Sequence, residues 1–253
     1  MKTTAILNLK GGVAKTTTVI NLAAVLAKYS GKRVLLVDAD SQCNLTEFCG
    51  INPEKTAVSL VDVIQCEKNA NQDFVIKKSN IDGVDIIPAE DELMGLDVTA
   101  MKYGAGKPEA IRDFLQLVRD RYDYCLIDCP PAFNASGLAA LVAADNVLIP
   151  IKLDAFSLRG MGNLMAQIKN MRRINDRLEV AGLLPTMFYK SARTELARKV
   201  LQDNAFRVFP AIRHSRKVDE MTYQQKPLCV SSPQSAAAVD YRRFAAMFLE
   251  ATK

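Results

Sequence analysis

The chain has 253 residues, 49% of them hydrophobic and 24% charged, with a formal net charge of +5. That is ordinary for a globular protein and enough apolar material for one large domain, while no stretch nears the roughly 20 apolar residues a membrane span needs. Six cysteines, Cys43, Cys49, Cys66, Cys125, Cys129 and Cys229, show no paired metal spacing, which points to reduced thiols rather than a disulfide framework.

Residues 3–9 are short, apolar and β-branched, the pattern of a buried strand, and a strand this early is expected to leave no room for a cleavable leader. Lys10-Gly11-Gly12-Val13-Ala14-Lys15-Thr16-Thr17 follows, and residues 18–28 then carry apolar side chains at helical spacing. Strand, glycine-rich turn and helix together are the context of a phosphate-binding loop. Glycines let backbone N–H groups close around phosphate oxygens, and the helix N-terminus adds its dipole and free donors. Lys15 would supply charge to the outer phosphates and Thr16 a hydroxyl for Mg²⁺. The general pattern Gly-x-x-x-x-Gly-Lys-Ser/Thr is not met, because Leu9 and Ala14 stand where its glycines belong. The variant Lys-Gly-Gly-x-x-Lys-Thr-Thr fits instead, opened by a second lysine, Lys10. By spacing alone Lys10 could bind its own nucleotide or lie in solvent.

Residues 34–38 form a continuous apolar run ending in Asp38, as in a strand buried on both faces. A polar loop over 38–44 follows, with a helix expected over 57–65 and a turn near 69–71. A short strand is expected at 84–88, then helices at 90–99 and 108–121 separated by Gly104-Ala105-Gly106. Residues 122–131 read as a second buried strand, closing on Asp128. Strands at 147–151 and 180–188 alternate with helices at 135–144, 158–175 and 194–204, and a last helix spans 235–251. The alternation predicts one α/β domain over 1–253: a doubly wound, mostly parallel sheet with helices on both faces.

Ligands of such sheets sit beyond the carboxyl ends of the strands. Three strands end there with chemistry: the phosphate loop, the Asp38/Asp40 pair, and Asp128, suited to holding the hydration shell of Mg²⁺. Hydrolysis of a γ-phosphate needs charge neutralisation and a positioned water more than covalent chemistry. Lys10, Lys15 and Asp40 are the catalytic candidates, with Asp40 orienting the water. Thr16, Asp40 and Asp128 are the metal candidates. Asp38 reads as a structural or Mg²⁺-linked neighbour, or as a turn former.

The loop over residues 10–17 resembles the deviant Walker A of the ParA/MinD family of ATPases. Asp38-Ala39-Asp40-Ser41-Gln42-Cys43-Asn44-Leu45-Thr46 resembles the switch I of ParA/Soj-type partition ATPases, which usually has Pro where Ser41 stands. Ile127-Asp128-Cys129-Pro130-Pro131 resembles their Walker B and switch II. Residues 150–160, 213–220 and 235–241 resemble later segments, so the likeness covers almost the whole chain. It implies a P-loop fold, ATP and Mg²⁺ as cofactors, and a homodimer formed when ATP is bound. In that dimer Lys10 would reach the partner's phosphates. It also implies nucleotide contacts from Lys10, Gly11, Gly12, Val13, Ala14, Lys15, Thr16 and Thr17, with Met187, Phe188 and Pro210 around adenine.

Residues 186–226 hold nine basic and four acidic side chains, so this segment carries the whole net charge. Such asymmetry suggests an anionic partner for one face. Arg213 and Arg216 would share a face on a helical turn. With Arg193 they resemble the arginines through which partition ATPases hold non-specific double-stranded DNA, a salt-sensitive contact to phosphates. The lone His214 reads as a surface residue. The leading expectation is a nucleoid-associated DNA-partitioning ATPase stimulated by a ParB-type partner, with no membrane. The alternatives are a MinD-like membrane-associated regulator using the C-terminal helix, a ParA-like positioner of protein cargo, and an iron–sulfur reductase with a cluster shared between subunits, whose spacing Cys125 and Cys129 do not fit.

Overall fold

The computed structural model describes residues 1–65, 71–103, 107–203 and 206–253. The strands are β1 (Lys2–Ile6), β2 (Val34–Asp38), β3 (Lys77–Lys78), β4 (Val84–Ile87), β5 (Tyr124–Asp128), β6 (Asn146–Lys152) and β7 (Glu179–Thr186). They form one sheet in the order β3-β4-β2-β5-β1-β6-β7. Every pairing is parallel except the edge pair β3–β4. The helices are α1 (Lys15–Ser30), α2 (Asn44–Phe48), α3 (Leu60–Gln65), α4 (Gln72–Val75), α5 (Glu92–Tyr103) and α6 (Ala110–Leu117). After them come α7 (Ala135–Ala143), α8 (Ala155–Met171), α9 (Ala192–Asp203), α10 (Lys217–Gln224), α11 (Leu228–Ser231) and α12 (Ala236–Ala251).

Side chains along each central strand alternate between two cores, because successive residues point to opposite faces. Ala5, Leu35, Val37, Cys125, Ile127, Val147 and Ile149 pack with α3, α5, α6, α7 and α8. Ile6, Val34, Leu36, Leu126 and Leu148 pack with α1 and α12. Both faces being covered is why these strands read as unbroken apolar runs. Parallel register then aligns the strand ends: Asp38 is the Cα partner of Asp128, which is also that of Ile6. The strand leading into the phosphate loop and the two acid-tipped strands are therefore neighbours.

The expected strands are all present, within two residues at each end except at the loop-side ends of β1 and β5. Each stops at the sheet's edge, three residues short. Several helices differ from the expected bounds. α3 starts at Leu60, not 57, because Ser59 caps it: the Ser59 N–H donates to Asp62 Oδ2 at 2.8 Å and the Val61 N–H to Ser59 Oγ at 3.0 Å. Turns flank α6, so it is shorter than 108–121. α2, α11 and the two-residue β3 are too short for a periodic pattern to show, and the mostly polar α10 buries only Met221. The break at 104–106, Cys66 and Asn204 lie outside the described residues.

One crossing shapes the site. Gly182 in β7 has φ +152°, and a Cβ there would meet the Phe209 ring at 2.7 Å and Arg207 O at 2.9 Å. Only glycine lets the segment over 207–213 pass this close, bridging Leu183 to Val208 and Phe188 to Arg213. That segment continues along the sheet edge to the carboxyl ends of the strands.

Candidate nucleotide site

The loop between β1 and α1 is tied at its start and its middle. Asn8 Nδ2 donates to Pro150 O at 2.7 Å, and Asn8 Oδ1 accepts from the Lys10 N–H at 3.0 Å. Gly12 (φ 68°) and Ala14 (φ 65°, ψ 40°) are left-handed, bends of the kind that gather N–H donors into an anion-binding hollow. Ala14 thus takes the conformation that glycine would, and the missing glycine leaves the loop's shape intact at the cost of strain. No side chain caps α1, so its first N–H groups remain available to phosphate. Thr186 Oγ1, at the end of β7, donates to Val13 O at 3.0 Å and anchors the loop's middle.

The acid-tipped strands meet this loop. Thr16 Oγ1 donates to Asp128 Oδ2 at 2.6 Å, while Asp128 is buried and its Oδ1 has no hydrogen-bond partner. Burial, then the charge of Asp38, pushes the Asp128 carboxyl well above the usual range. A buried, orphaned carboxylate oxygen beside a threonine hydroxyl, with Lys15 also buried nearby, fits a hydrated divalent cation. Among the described residues no three His, Cys, Asp or Glu converge on one point. Phosphate and water would have to complete the ion's shell.

Asp38 is held on both carboxylate oxygens. Its Oδ2 accepts from the Thr46 N–H (2.9 Å) and Thr46 Oγ1 (2.7 Å), and its Oδ1 from the Asp40 N–H (3.2 Å). Burial nonetheless lifts its pKa to about 6. Asp40 sits half-buried on the loop, its Oδ1 accepting from the Gln42 N–H at 3.0 Å, and its charge is among those that raise the Asp128 carboxyl.

Lys10 is not in its own phosphate hollow. Its Nζ lies 2.7 Å from Asp154 Oδ2 and 3.3 Å from Ser157 Oγ, on the turn into α8. Burial works against the Asp154 charge, but hydrogen bonds from Lys10 and Ser157 outweigh it and hold the carboxyl at about 2. Asp154, some 144 residues away in the chain, carried no signal that would have linked it to Lys10.

A cavity of about 80 Å³ opens beside the loop, lined in part by Ala14, Thr17, Thr186, Met187, Ile212 and Tyr241. Of the three expected adenine contacts only Met187 lines it; Phe188 and Pro210 do not. Ile212 and His214 do, carried in by the segment that crosses Gly182. His214 is exposed as expected, yet it stacks on Tyr189 with ring centroids 4.8 Å apart.

The basic residues separate. Arg213 lies on the extended segment rather than a helix, so it shares no helical face with Arg216. Its guanidinium is committed to the buried Asp240 of α12, with Nε–Oδ2 and Nη2–Oδ1 both at 2.8 Å. Arg216, preceding α10, and Arg193, on α9, are exposed. Among the described residues Cys43, Cys49, Cys125, Cys129 and Cys229 are free and buried.

Fold and site together define a nucleotide hydrolase of the P-loop class, in which the cleft at the strand ends binds phosphates. Comparison with known proteins agrees. An AAA-domain family profile matches residues 1–180. The chain is similar to the chromosome partitioning protein ParA of Caulobacter vibrioides, 35% identical over 97% of this chain and 92% of that protein. It is similar to the sporulation initiation inhibitor protein Soj of Bacillus subtilis, 33% identical over 95% of each. Its fold matches the crystal structure of cobyrinic acid a,c-diamide synthase from Mycobacterium smegmatis with bound ADP and magnesium. That match has a TM-score of 0.83 and 30% identity, covering 98% of this chain and 94% of the other. The chain belongs to the ParA/MinD family of P-loop ATPases and is an ATPase with ATP and magnesium as cofactors.

Proposed function

We propose that this ParA-family ATPase is a DNA-partitioning switch. Two copies pair around ATP, hold double-stranded DNA without sequence preference, and let go on hydrolysis stimulated by a ParB-type partner at the nucleoid. The observation that carries the reading is the placement of Lys10. A lysine that opens a phosphate loop but rests on Asp154, outside the hollow, is available to a second molecule's phosphates. The 35% identity to a chromosome partitioning protein over nearly the full length supports the partition role.

Bound Mg²⁺–ATP would supply the attractive charge for pairing and the bond to be cleaved. Lys15 and the loop N–H groups bind and neutralise phosphate oxygens. Thr16 and Asp128 hold the ion, and Asp40 orients the attacking water. Pairing that depends on the γ-phosphate is lost when that group leaves.

The DNA contacts fall to Arg193 and Arg216, with the exposed Lys190 and Lys199 nearby, while Arg213 braces α12. A membrane-binding C-terminus has little to offer here. The apolar face of α12 (Tyr241, Phe244, Ala245, Phe248) is buried in the core it shares with α1, and among the described residues no helix is long and apolar enough to cross a membrane.

DNA retention measured with ATP, with ADP and without nucleotide, at two salt concentrations, tests the proposal. Retention only with ATP, weakened by salt and indifferent to sequence, is expected. Arg193→Ala with Arg216→Ala should keep ATP binding and, with four arginines lost per dimer, flatten the log K against log salt slope by about 4. Equal retention in all three nucleotide states would overturn it.

A further inference from the structure

Asp97, on α5, is buried and plays no part in the chemistry described so far. Its Oδ1 accepts from the Ser136 N–H at 2.9 Å, and its Oδ2 accepts from Asn134 Nδ2 and lies 3.3 Å from Ser136 Oγ. Ser136 is in the first turn of α7, just after the strand that ends in Asp128. Its hydroxyl reaches across to switch I and donates to Ala39 O at 3.0 Å.

That carbonyl belongs to the peptide joining Ala39 to Asp40. The N–H of the same peptide donates to Asp38 Oδ1 at 3.2 Å. The plane that carries Asp40 is thus gripped at both ends, by Asp38 on one side and Ser136 on the other. The preceding peptide is held too, by the Ala39 N–H on Asp128 O at 2.9 Å. A planar peptide fixed at its N–H and its C=O leaves Asp40 little backbone freedom, so its carboxylate must explore space through its side chain alone.

Ser136 has one proton and three acceptors within reach: Ala39 O, Asp97 Oδ2 and Asn134 Oδ1 at 3.2 Å. The shortest contact is to Ala39. Asp97 meanwhile pins the Ser136 backbone and Asn134, which caps α7 through the Gly137 N–H at 3.0 Å. A Cβ on Gly137 would meet Ala132 O at 2.9 Å, so the switch II loop is wrapped tightly on the same turn.

We propose that Ser136, held in place by Asp97, positions Asp40 for ATP hydrolysis. Both are positioning residues that couple the two switch segments. The inference rests on the reading of Asp40 as the residue that orients water. It assigns no ligand contact to either residue, so their loss should slow the chemical step and spare binding.

The test is steady-state hydrolysis beside the affinity for a fluorescent ATP analogue. Ser136→Ala barely changes volume, and Asp97→Asn keeps the side chain's shape. Each is expected to lower kcat at least five-fold while the nucleotide Kd changes less than two-fold. Parental kcat in Ser136→Ala, or kcat and affinity falling together, would overturn the proposal. Should Asp97→Asn fail to fold, Ser136→Ala alone decides. Asp40→Ala separates the two levels of the argument. If it hydrolyses at the parental rate, the Asp40 reading fails and the positioning role with it. If it is inactive while Ser136→Ala is parental, only the positioning role fails.

Discussion

Replacing Asp154 by Asn should strengthen ATP-driven pairing. Asn can still accept the Ser157 N–H that Asp154 Oδ1 holds at 2.8 Å, so the cap of α8 survives and chiefly the charge on Lys10's partner is lost. The Lys10 and Asp154 side chains are 38% and 30% exposed. Solvent screening therefore limits the pair to about 1 kcal/mol or less. If Lys10 leaves Asp154 to meet a partner's phosphates, that energy opposes pairing in the parent and is removed in the variant. Each protomer contributes one such pair, so up to about 2 kcal/mol is removed per dimer, and the dimer dissociation constant with a non-hydrolysable ATP analogue should then fall by up to about thirty-fold. Sedimentation equilibrium over a protein concentration series reads this directly. An unchanged or weakened dimer would show that Lys10 does not move between these two partners.

Asp240→Ala removes a buried acceptor of two charge-assisted bonds from Arg213 and one from its backbone N–H. With half of Arg213 rehydrated the loss is about 2 kcal/mol. The Tm should fall by about 4–8 °C, and a shift under 1 °C would refute the bracing role. Ala14→Gly relieves a left-handed residue, a gain of about 1–2 kcal/mol offset by about 0.5–1 from the freer unfolded chain. A Tm rise of about 1–4 °C is expected by scanning calorimetry, and a fall would contradict the strain argument. The folded pKa of Asp38, about 6, lies above its unfolded value, so the folded state holds that proton more tightly. Stability of the nucleotide-free protein should rise as pH falls from 7 to 5, by about 1 kcal/mol from this group, and gain nothing more below its unfolded pKa. Burial raises Asp97 and Glu90 as well, in the same sense. A melting midpoint that stays flat or drops over this range would count against it.

The parts of this molecule that were legible in the sequence are those where one physical demand fixes several adjacent residues. A strand buried on both faces must be apolar throughout, so β2, β5 and β6 announced themselves, and the acids at the ends of β2 and β5 stood out against that background. The phosphate loop showed because a tight turn between strand and helix needs its glycines next to its lysines. What stayed hidden depends on residues brought together only by folding. Lys10 and Asp154, Arg213 and Asp240, and Ser136 and Ala39 are each far apart in the chain. The lining of the cavity stayed hidden for a related reason. Of Met187, Phe188 and Pro210 it takes in Met187, and the segment that crosses Gly182 adds Ile212 and His214. Asp38 reads in sequence as a structural or Mg²⁺-linked neighbour of Asp40, and the hydrogen bonds it accepts from Thr46, eight residues on, show only in the fold.

The most direct test is the mass of the protein in solution with Mg²⁺ and a non-hydrolysable ATP analogue, with Mg²⁺–ADP, and without nucleotide. A dimer with the ATP analogue alone, abolished by Lys10→Ala, is the predicted result. A monomer under all three conditions, or a Lys10→Ala protein that dimerises as the parent does, would contradict the account.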